Sequence, residues 1–534
     1  MTATKSLRVL ISDALSPKGV EILEKEPGIK VDVLTDLTPE DLCKKIGEYH
    51  ALVVRSGTKV TREVIEHGKK LQVIGRAGIG LDNVDAEAAT ASGIIVMNTP
   101  GGNTTSTCEH SVSMLCALAR NIPQGTASVK QGKWERKKFQ GVELYGKTLG
   151  VVGLGRIGSE VARRLQAFGM KVVAFDPHLP AERAKAMDIE PVALEDLLKV
   201  ADFITIHVPL TPETKHLIGE KAFKKMKKGV RIVNCARGGV VDEAALLEAL
   251  KSEKVAGAAL DVFEKEPPEG NPLLKLDNVI ATPHLGASTK EAQLGVAVDI
   301  AHQVCDALMG RGISNAVNMP SVDGETYRRL KPYLLLGEAL GSLQAQLGDS
   351  PISEVRIEYA GEMISEDLSP VSIAVLKGVL ATSVAEHVNF VNAPHIAKSR
   401  GVKVVESKVS EAETFANLIS VEVVTSQGRS VVAGSVMAKN QPRIVQVNNH
   451  FVEIIPSGYM LLIGNLDKPG IVGAIGTILG KSKINIARMT NTTNRETADG
   501  SAITVINVDG EPSAAVLDEI AKVKYVTSVQ LIRL

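Results

Sequence analysis

The stretch 149–165 reads LGVVGLGRIGSEVARRL, with Gly153, Gly155 and Gly158 in a G-x-G-x-x-G spacing after an apolar strand and at the opening of a helix. Each glycine has its own use in holding a dinucleotide. Gly153 allows a tight turn, Gly155 lets backbone approach a pyrophosphate, and Gly158 lets the helix pack closely on the strand. The helix N-terminus adds unpaired N–H groups and the positive end of a dipole. Asp176 ends the next strand, 18 residues after Gly158. A carboxylate there accepts hydrogen bonds from ribose hydroxyls and repels a 2′-phosphate, which selects NAD over NADP. Arg156, inside the turn, is expected beside the phosphates. A nicotinamide cofactor brings hydride transfer.

Three more residues fall where such chemistry would be run. Arg237 in NCARGG, Glu266 in KEPP and His284 in TPHLG each sit at or just beyond a strand's C-terminal end, the edge where open α/β sheets bind ligands. His284 is one of eleven histidines, and alone it would suit a structural role; the dinucleotide motif and the other two residues single it out. In the first half, IGRAGIGLDNVD (74–85) carries Gly75, Gly78 and Gly80 in a G-x-x-G-x-G spacing with no matched acid. It reads as a close-approach loop for substrate, with Arg76 directed at an anion. A Ser/His/Asp hydrolase would need a nucleophile elbow, and the sequence has none.

The elements that must position these residues alternate. LRVLISD (7–13), KVDVL (30–34), ALVVR (51–55), LQVIGR (71–76) and GIIVMN (93–98) read as short buried strands separated by amphipathic helices. After a longer helix over 105–122, a second alternation runs through 147–155, 171–176, 201–209, 229–237, 255–263 and 278–284. The fold class is α/β: two doubly wound parallel-sheet domains, both faces of each sheet covered by helices. A helix over about 288–310 precedes a further expected strand, GISNAVNMP (312–320). Residues 321–455 lack a glycine fingerprint and read as a third, α+β unit. The last stretch, 458–534, reads β-α-β-β-α-β, a ferredoxin-like order.

Bulk properties narrow the function. A chain of 534 residues exceeds what one core serves, so three or four domains are expected. Lys+Arg and Asp+Glu both total 61, so no overall positive field draws nucleic acid. No apolar run reaches the roughly 20 residues of a membrane span. The opening MTATKSLRVLISD enters a strand pattern at once and has no signal-peptide regions. Cys43, Cys108, Cys116, Cys235 and Cys305 are scattered without a CxxC, which fits reduced thiols in a cytoplasm. No metal site is expected.

VVRSGTKV, GRAGIGLDNVD, NTPGGNTTSTCEH, GKWERKKFQG, GLGRIGSEVA, NCARGGVVDE, ALDVFEKEPP and TPHLGAS together resemble the D-2-hydroxyacid dehydrogenases, specifically the long-form D-3-phosphoglycerate dehydrogenases. The likeness covers residues 7–320, and the two C-terminal units match as well. It implies a discontinuous substrate domain (1–100 and 285–320) with an NAD-binding Rossmann domain (101–284) inserted in it. An intervening regulatory domain (321–456) and an ACT domain (457–534) would follow. The implied reaction is NAD-dependent oxidation of 3-phospho-D-glycerate to 3-phosphooxypyruvate, the opening step of phosphorylated serine synthesis.

The resemblance also assigns roles. His284 carries the proton, Glu266 pairs with its imidazole, and Arg237 binds the substrate carboxylate and polarises the carbonyl. The cofactor set it implies is Gly153, Gly155, Arg156, Ile157, Gly158, Asp176, Val208, Pro209, Cys235, Ala236, Arg237, Asp261, His284, Gly286 and Ala287, with Asp261 at the nicotinamide amide. A phosphorylated substrate needs further cations. Arg55 with Ser56, Arg76 with Gly78, and Asn103 are expected to meet it, as are Arg136, Lys137 and Lys138 reaching from a neighbouring subunit of a homo-oligomer. Asn465, Asp467 and Asn485 fall at the positions that contact L-serine in the ACT domain; serine-inhibited relatives often carry His where Asn465 stands. Rival readings are a glyoxylate/hydroxypyruvate or 2-oxoglutarate reductase of the same family, a non-enzymatic NAD-sensing regulator, and a plain amino-acid sensor. A simple reductase would not need 200 residues beyond position 320.

Overall fold

The computed structural model describes residues 6–348, 350–381, 387–410, 415–493 and 500–534. Five strands, Leu7–Ile11 (β1), Ile29–Val33 (β2), Ala51–Val54 (β3), Val73–Arg76 (β4) and Ile95–Met97 (β5), form an all-parallel sheet in the order β2-β1-β3-β4-β5. Alternate residues serve opposite faces, as strand geometry requires. Leu10, Leu52, Val54, Ile74 and Val96 pack on helices 39–46, 62–67 and 86–91. Val9, Ile11, Ala51, Val53 and Val73 pack on helix 17–25 and on Val296, Ile300 and Val304 of helix Lys290–Leu308. That late helix therefore completes the first sheet's second face.

The second sheet has seven parallel strands: Thr148–Val152 (β6), Lys171–Phe175 (β7), Glu190–Pro191 (β8), Phe203–Ile206 (β9), Val230–Asn234 (β10), Val255–Leu260 (β11) and Val279–Ala281 (β12). Their order is β12-β11-β10-β9-β6-β7-β8, the doubly wound arrangement with its switch point between β6 and β9. Helix Thr104–Arg120 crosses from the first sheet and buries Cys108, Met114, Leu115 and Leu118 against this one. Two crossing segments, ahead of residue 104 and after 284, thus frame a cleft onto which the C-terminal ends of both sheets open.

Two details differ from the sequence expectation. The stretch 312–320 is no strand; it makes only the isolated bridges Met97↔Ala316 and Ile313↔Val322. It pairs too briefly to extend a ladder, yet Asn318 Oδ1 accepts from Val96 N at 2.9 Å and so still ties the returning chain to β5. The two-residue edge strand β8 is too short to carry a periodic signal.

Beyond residue 320 lies a six-stranded sheet, antiparallel except where strands Ile352–Gly361 and Lys403–Val409 run together. Helices Gly324–Gln346 and Ser369–Ala381 pack into its core. The last unit is a four-stranded antiparallel sheet with helices Ile471–Lys481 and Ala514–Ala521 on one face. Met460, Leu462, Ile503, Val505 and Ile532 on its other face join the third unit's core. Among the described residues no helix is long and apolar enough to cross a membrane.

Candidate active site

His284 follows β12 in a left-handed backbone conformation, φ +55°, which costs free energy in a residue with a Cβ and persists only where its surroundings dictate it. They do so here. The His284 N–H donates to Asp261 O at 2.9 Å and to Thr282 O at 3.0 Å. Asp261, buried at the end of β11, gathers the whole loop: it accepts from Leu285 N (2.7 Å), Gly286 N (2.8 Å), Thr282 Oγ1 (2.6 Å) and His110 Nε2 (3.1 Å). Burial alone would push its carboxyl up, but these bonds hold it below the usual carboxylate range. Asp261 thus anchors the 282–286 loop.

The imidazole meets Glu266. His284 Nδ1 stands 2.9 Å from Glu266 Oε2, and Phe263 N–H donates to Oε1 at 3.1 Å. The hydrogen bond to Glu266 raises the His284 pKa against the opposing pull of burial. In the carboxylate, burial pushes upward and is outweighed by the bond and charge of His284 and by the Phe263 N–H, so the group stays low. With Nδ1 engaged and 49 % of the side chain exposed, Nε2 is the ring nitrogen left for a substrate. A half-exposed imidazole with a tethered carboxylate can exchange a proton near neutral pH.

One guanidinium, Arg237, lies near His284, and a second, Arg76, lies near Arg237. Arg237, after β10, donates through Nη1 to Ala236 O at 2.7 Å, and its Nε stands 3.0 Å from Asp82 Oδ2 on the first sheet's side of the cleft. Arg76 ends β4. Burial, then the nearby Arg237 cation, pulls it down to about 10, and its buried Nε has no protein partner. Crowded cations with an unused donor are the electrostatic shape of an anion site. Glycines make the room. A Cβ on Gly78 would overlap Arg76 Nη1, and one on Gly80 would overlap Arg237 Nη2. Arg55 lies near Arg76 with Nη1 on Ala14 O at 3.1 Å, and Ser56 is exposed. Asn103 precedes helix Thr104–Arg120 without capping it; its Oδ1, like Thr104 Oγ1 and Thr99 Oγ1, is buried with no protein partner.

On the cofactor side, Gly153 has φ +92°, and a Cβ there would sit 2.7 Å from His207 O and 2.8 Å from Val208 Cγ1. A Cβ on Gly158 would overlap Gly153 O, whereas beside Gly155 nothing lies within 4 Å. That open flank, above the uncapped N-terminus of helix Arg156–Ala167 that includes Ile157, fits a pyrophosphate. Asp176 borders the turn, accepting from Leu154 N and His178 N at 2.9 Å each. Arg156 lines a cavity of about 540 Å³ between the two sheets together with Thr99, Asp299 and Asn315. Pro209 follows β9, and Ala236 is turned inward by Asn234 Oδ1 at 3.0 Å. Burial pushes the Cys235 thiol up to about 12, so it stays protonated. Gly286 is buried against Asp261, and Ala287 follows it.

Other predicted residues stand apart. Arg136, Lys137 and Lys138 are exposed, and Lys138 lies 4.0 Å from Asp277. Asp277 precedes β12 and so marks the sheet edge opposite His284. In the ACT-like unit, Asn465 is buried and accepts from Thr504 Oγ1 at 2.9 Å, while Asp467 and Asn485 are exposed. Asn465 pairs with Ala502, whereas Asn485 lies next to the Ile486↔Val508 pair. Six residues of strand, roughly 20 Å, separate them, so one chain does not bring the three together.

Asp82, His110, Thr282 and Asn234 went unread in the sequence. Asn234 Nδ2 donates to Arg237 O at 2.9 Å and shapes the turn that presents the guanidinium. No spacing rule marks these residues; the signal that could have found them is their membership of GRAGIGLDNVD, NTPGGNTTSTCEH, TPHLGAS and NCARGG.

Residues 112–286 match the family described as D-isomer specific 2-hydroxyacid dehydrogenase, NAD binding domain. The cofactor is NAD, and the class is an NAD-dependent 2-hydroxyacid dehydrogenase. Residues 329–448 match the D-3-phosphoglycerate dehydrogenase intervening domain, and 459–524 an ACT domain. The chain is 46 % identical to D-3-phosphoglycerate dehydrogenase of Methanocaldococcus jannaschii, covering 99 % of this chain and 100 % of that one. To the Bacillus subtilis enzyme it is 43 % identical, covering 99 % of each. It belongs to the D-3-phosphoglycerate dehydrogenase family. Among solved structures, the catalytic half resembles a glyoxylate reductase from Paecilomyes thermophila (30 % identity, 58 % of this chain and 98 % of that one, TM-score 0.55). It also resembles Aquifex aeolicus D-lactate dehydrogenase complexed with NAD and lactic acid (29 %, 59 % and 100 %, TM-score 0.52).

Proposed function

We propose that this chain oxidises 3-phospho-D-glycerate to 3-phosphooxypyruvate, the step that opens phosphorylated serine synthesis. The observation that carries the reading is the His284–Glu266 pair at 2.9 Å with Arg237 beside it and Arg76 beside Arg237, in a chain matched end to end by enzymes of that name. Arg237 holds the substrate carboxylate and polarises the C2 oxygen. Arg76, with Arg55, Ser56 and the Gly78 backbone, takes the rest of the anion, and Asn103 offers its unpaired amide oxygen to a hydroxyl. Neutral His284 accepts the C2 hydroxyl proton at Nε2 while Glu266, bonded at Nδ1, stabilises the imidazolium that forms. NAD, when bound, supplies the acceptor for the C2 hydride. Loss of one proton and one hydride leaves the C2 ketone.

The division into 1–100 with 285–320, 101–284, 321–456 and 457–534 rests on the four sheets. A homo-oligomer, a tetramer built on dimers, is proposed on two grounds. Trp134 and Tyr145 are 73 % and 79 % exposed beside the basic stretch, and Arg136, Lys137 and Lys138 can meet a substrate only in another subunit. Sedimentation of Trp134→Glu, expected to run as smaller species, tests it. An effector such as L-serine would bind where two ACT units meet, uniting Asn465 and Asp467 of one with Asn485 of the other; a serine titration of activity decides that. Five free thiols suit a reducing cytoplasm. The reaction itself is tested by NAD reduction with D-3-phosphoglycerate, D-glycerate and D-lactate. Preference for the phosphorylated acid supports it, and equal turnover of all three refutes it.

A further inference from the structure

The loop that carries Glu266 is not held by the active site alone. Glu264, two residues earlier, exchanges a reciprocal pair of hydrogen bonds with Glu243, the first residue of helix Glu243–Lys251. Glu264 N–H donates to Glu243 Oε1 at 2.6 Å, and Glu243 N–H donates to Glu264 Oε1 at 3.2 Å. Glu243 Oε2 accepts from Asn271 Nδ2 at 2.6 Å, and Asn271 Oδ1 accepts from Leu273 N at 3.0 Å. Both ends of the 264–271 loop are therefore fastened to one carboxylate. His216 adds a further partner, with Nε2 3.1 Å from Glu264 Oε1 and Nδ1 3.7 Å from Asp242 Oδ2.

The same helix start closes the loop that follows Arg237. At Gly238 the two loops cross so closely that a Cβ would overlap Phe263 O and lie 2.8 Å from Glu264 N. Phe263 N–H is the donor that fixes Glu266 Oε1. A continuous chain of contacts thus runs from the Arg237 turn through Glu243 and Glu264 to Phe263 and Glu266.

We propose that Glu243 is a positioning residue: through Glu264 and Asn271 it fixes the loop that sets Glu266 against His284, and registers that loop on the Arg237 turn. The proposal rests on the reaction proposed above. Glu243 touches no reacting atom, and its effect reaches chemistry only through Glu266. The groups facing His284 are Glu266, Asp261 and Arg237; those facing the fastening are His216, Asp242 and Glu264. Only Glu266 lies on the loop that Glu243 holds, so loosening it changes the His284 environment through that one carboxylate.

The experiment measures the pH profile of kcat/KM for D-3-phosphoglycerate, NADH affinity and Tm in wild type, Glu243→Ala, Glu243→Gln and the pair Glu243→Gln/Asn271→Asp. In Glu243→Ala kcat is expected to fall on the order of 10- to 100-fold, the cost of slight misplacement at a reacting centre. Its acidic limb should move to lower pH, toward the ordinary histidine value of about 6.5, with NADH affinity unchanged. Glu243→Gln keeps one acceptor for Glu264 N–H but opposes its amide to that of Asn271. In the double variant the amide introduced at position 243 donates to the carboxylate introduced at position 271, so kcat and the limb should return most of the way. If Glu243→Ala does not fold, Glu243→Gln against the double variant decides by the same readouts. A limb that stays at its wild-type pH in the folded variants, whatever happens to Tm, overturns the proposal. Wild type inactive on D-3-phosphoglycerate, or fully active His284→Ala, overturns the reaction instead and the positioning role with it.

Discussion

Gly80→Ala separates the substrate clamp from the fold more cleanly than removal of Arg237 would. Gly80 lies outside the left-handed backbone region, so alanine brings no backbone strain and trims unfolded-chain entropy by about 0.4–1 kcal/mol. What its Cβ meets is the Arg237 guanidinium: it would overlap Nη2, lie 3.0 Å from Cζ, and sit 2.7 Å from Asp82 Oδ2. Ordinary heavy-atom contact is about 3.5–4.0 Å, so Nη2, the atom nearest the new Cβ, must retreat by about 1.5–2 Å, and the guanidinium gives up its 3.0 Å pairing with Asp82. Arg237 can do this cheaply by rotating its flexible end, which leaves Tm at or slightly above wild type. Catalysis cannot follow it, because a shift of about 1 Å already costs on the order of 100-fold, about 2.7 kcal/mol in barrier. Steady-state kinetics with D-3-phosphoglycerate should show kcat/KM falling by that order, with NADH affinity and Tm unchanged. Wild-type kcat/KM in a folded Gly80→Ala enzyme would refute the placement of Arg237 as the clamp.

Two further outcomes follow from the same geometry. Glu266 raises the His284 pKa, and oxidation needs the neutral imidazole, so activity rises with pH through a limb above about 6.5; in Glu266→Gln that limb moves to lower pH and kcat falls, and a limb fixed in place would contradict the pairing. If Asp176 accepts from the ribose hydroxyls, as its place after the glycine turn leads us to propose, Asp176→Ala gives up charge-assisted bonds of about 1.5–3 kcal/mol each, so NADH should bind at least tenfold more weakly and discrimination against NADPH should shrink, as fluorescence titration would report; unchanged NADH affinity would contradict that ribose role.

How much of this could be read in the sequence depended on how local the cause was. The Gly153–Gly155–Gly158 turn is legible because all its requirements (a strand end, a backbone close to phosphate, a helix packed on a strand) fall within a few residues. Alternating buried strands announced two parallel sheets for the same reason. The anion site was half legible: Arg76 and its glycines are neighbours in sequence, but the crowding of Arg76 by Arg237 and the reach of Asp82 depend on two sheets meeting across a cleft. Asp261 shows the opposite limit. Its position in ALDVF suggests a ligand contact, but nothing local announces the four hydrogen bonds from residues 110 and 282–286 by which it also holds the His284 loop. Arg136, Lys137 and Lys138 are exposed in the single chain, so the substrate role proposed for them depends on a neighbouring subunit. The 312–320 segment mixes Ile313, Val317 and Met319 with Ser314, Asn315 and Asn318, and a chain held by two isolated bridges and Asn318 has no ladder to join, so it forms no strand.

The central claim is that His284, oriented by Glu266, moves the proton of the C2 hydroxyl. The most direct test is kcat/KM for NAD reduction by D-3-phosphoglycerate in wild type and His284→Ala, with NADH affinity measured alongside. The account predicts a loss on the order of 10²- to 10⁴-fold with NADH binding intact. Turnover within a few-fold of wild type in the alanine variant would contradict it.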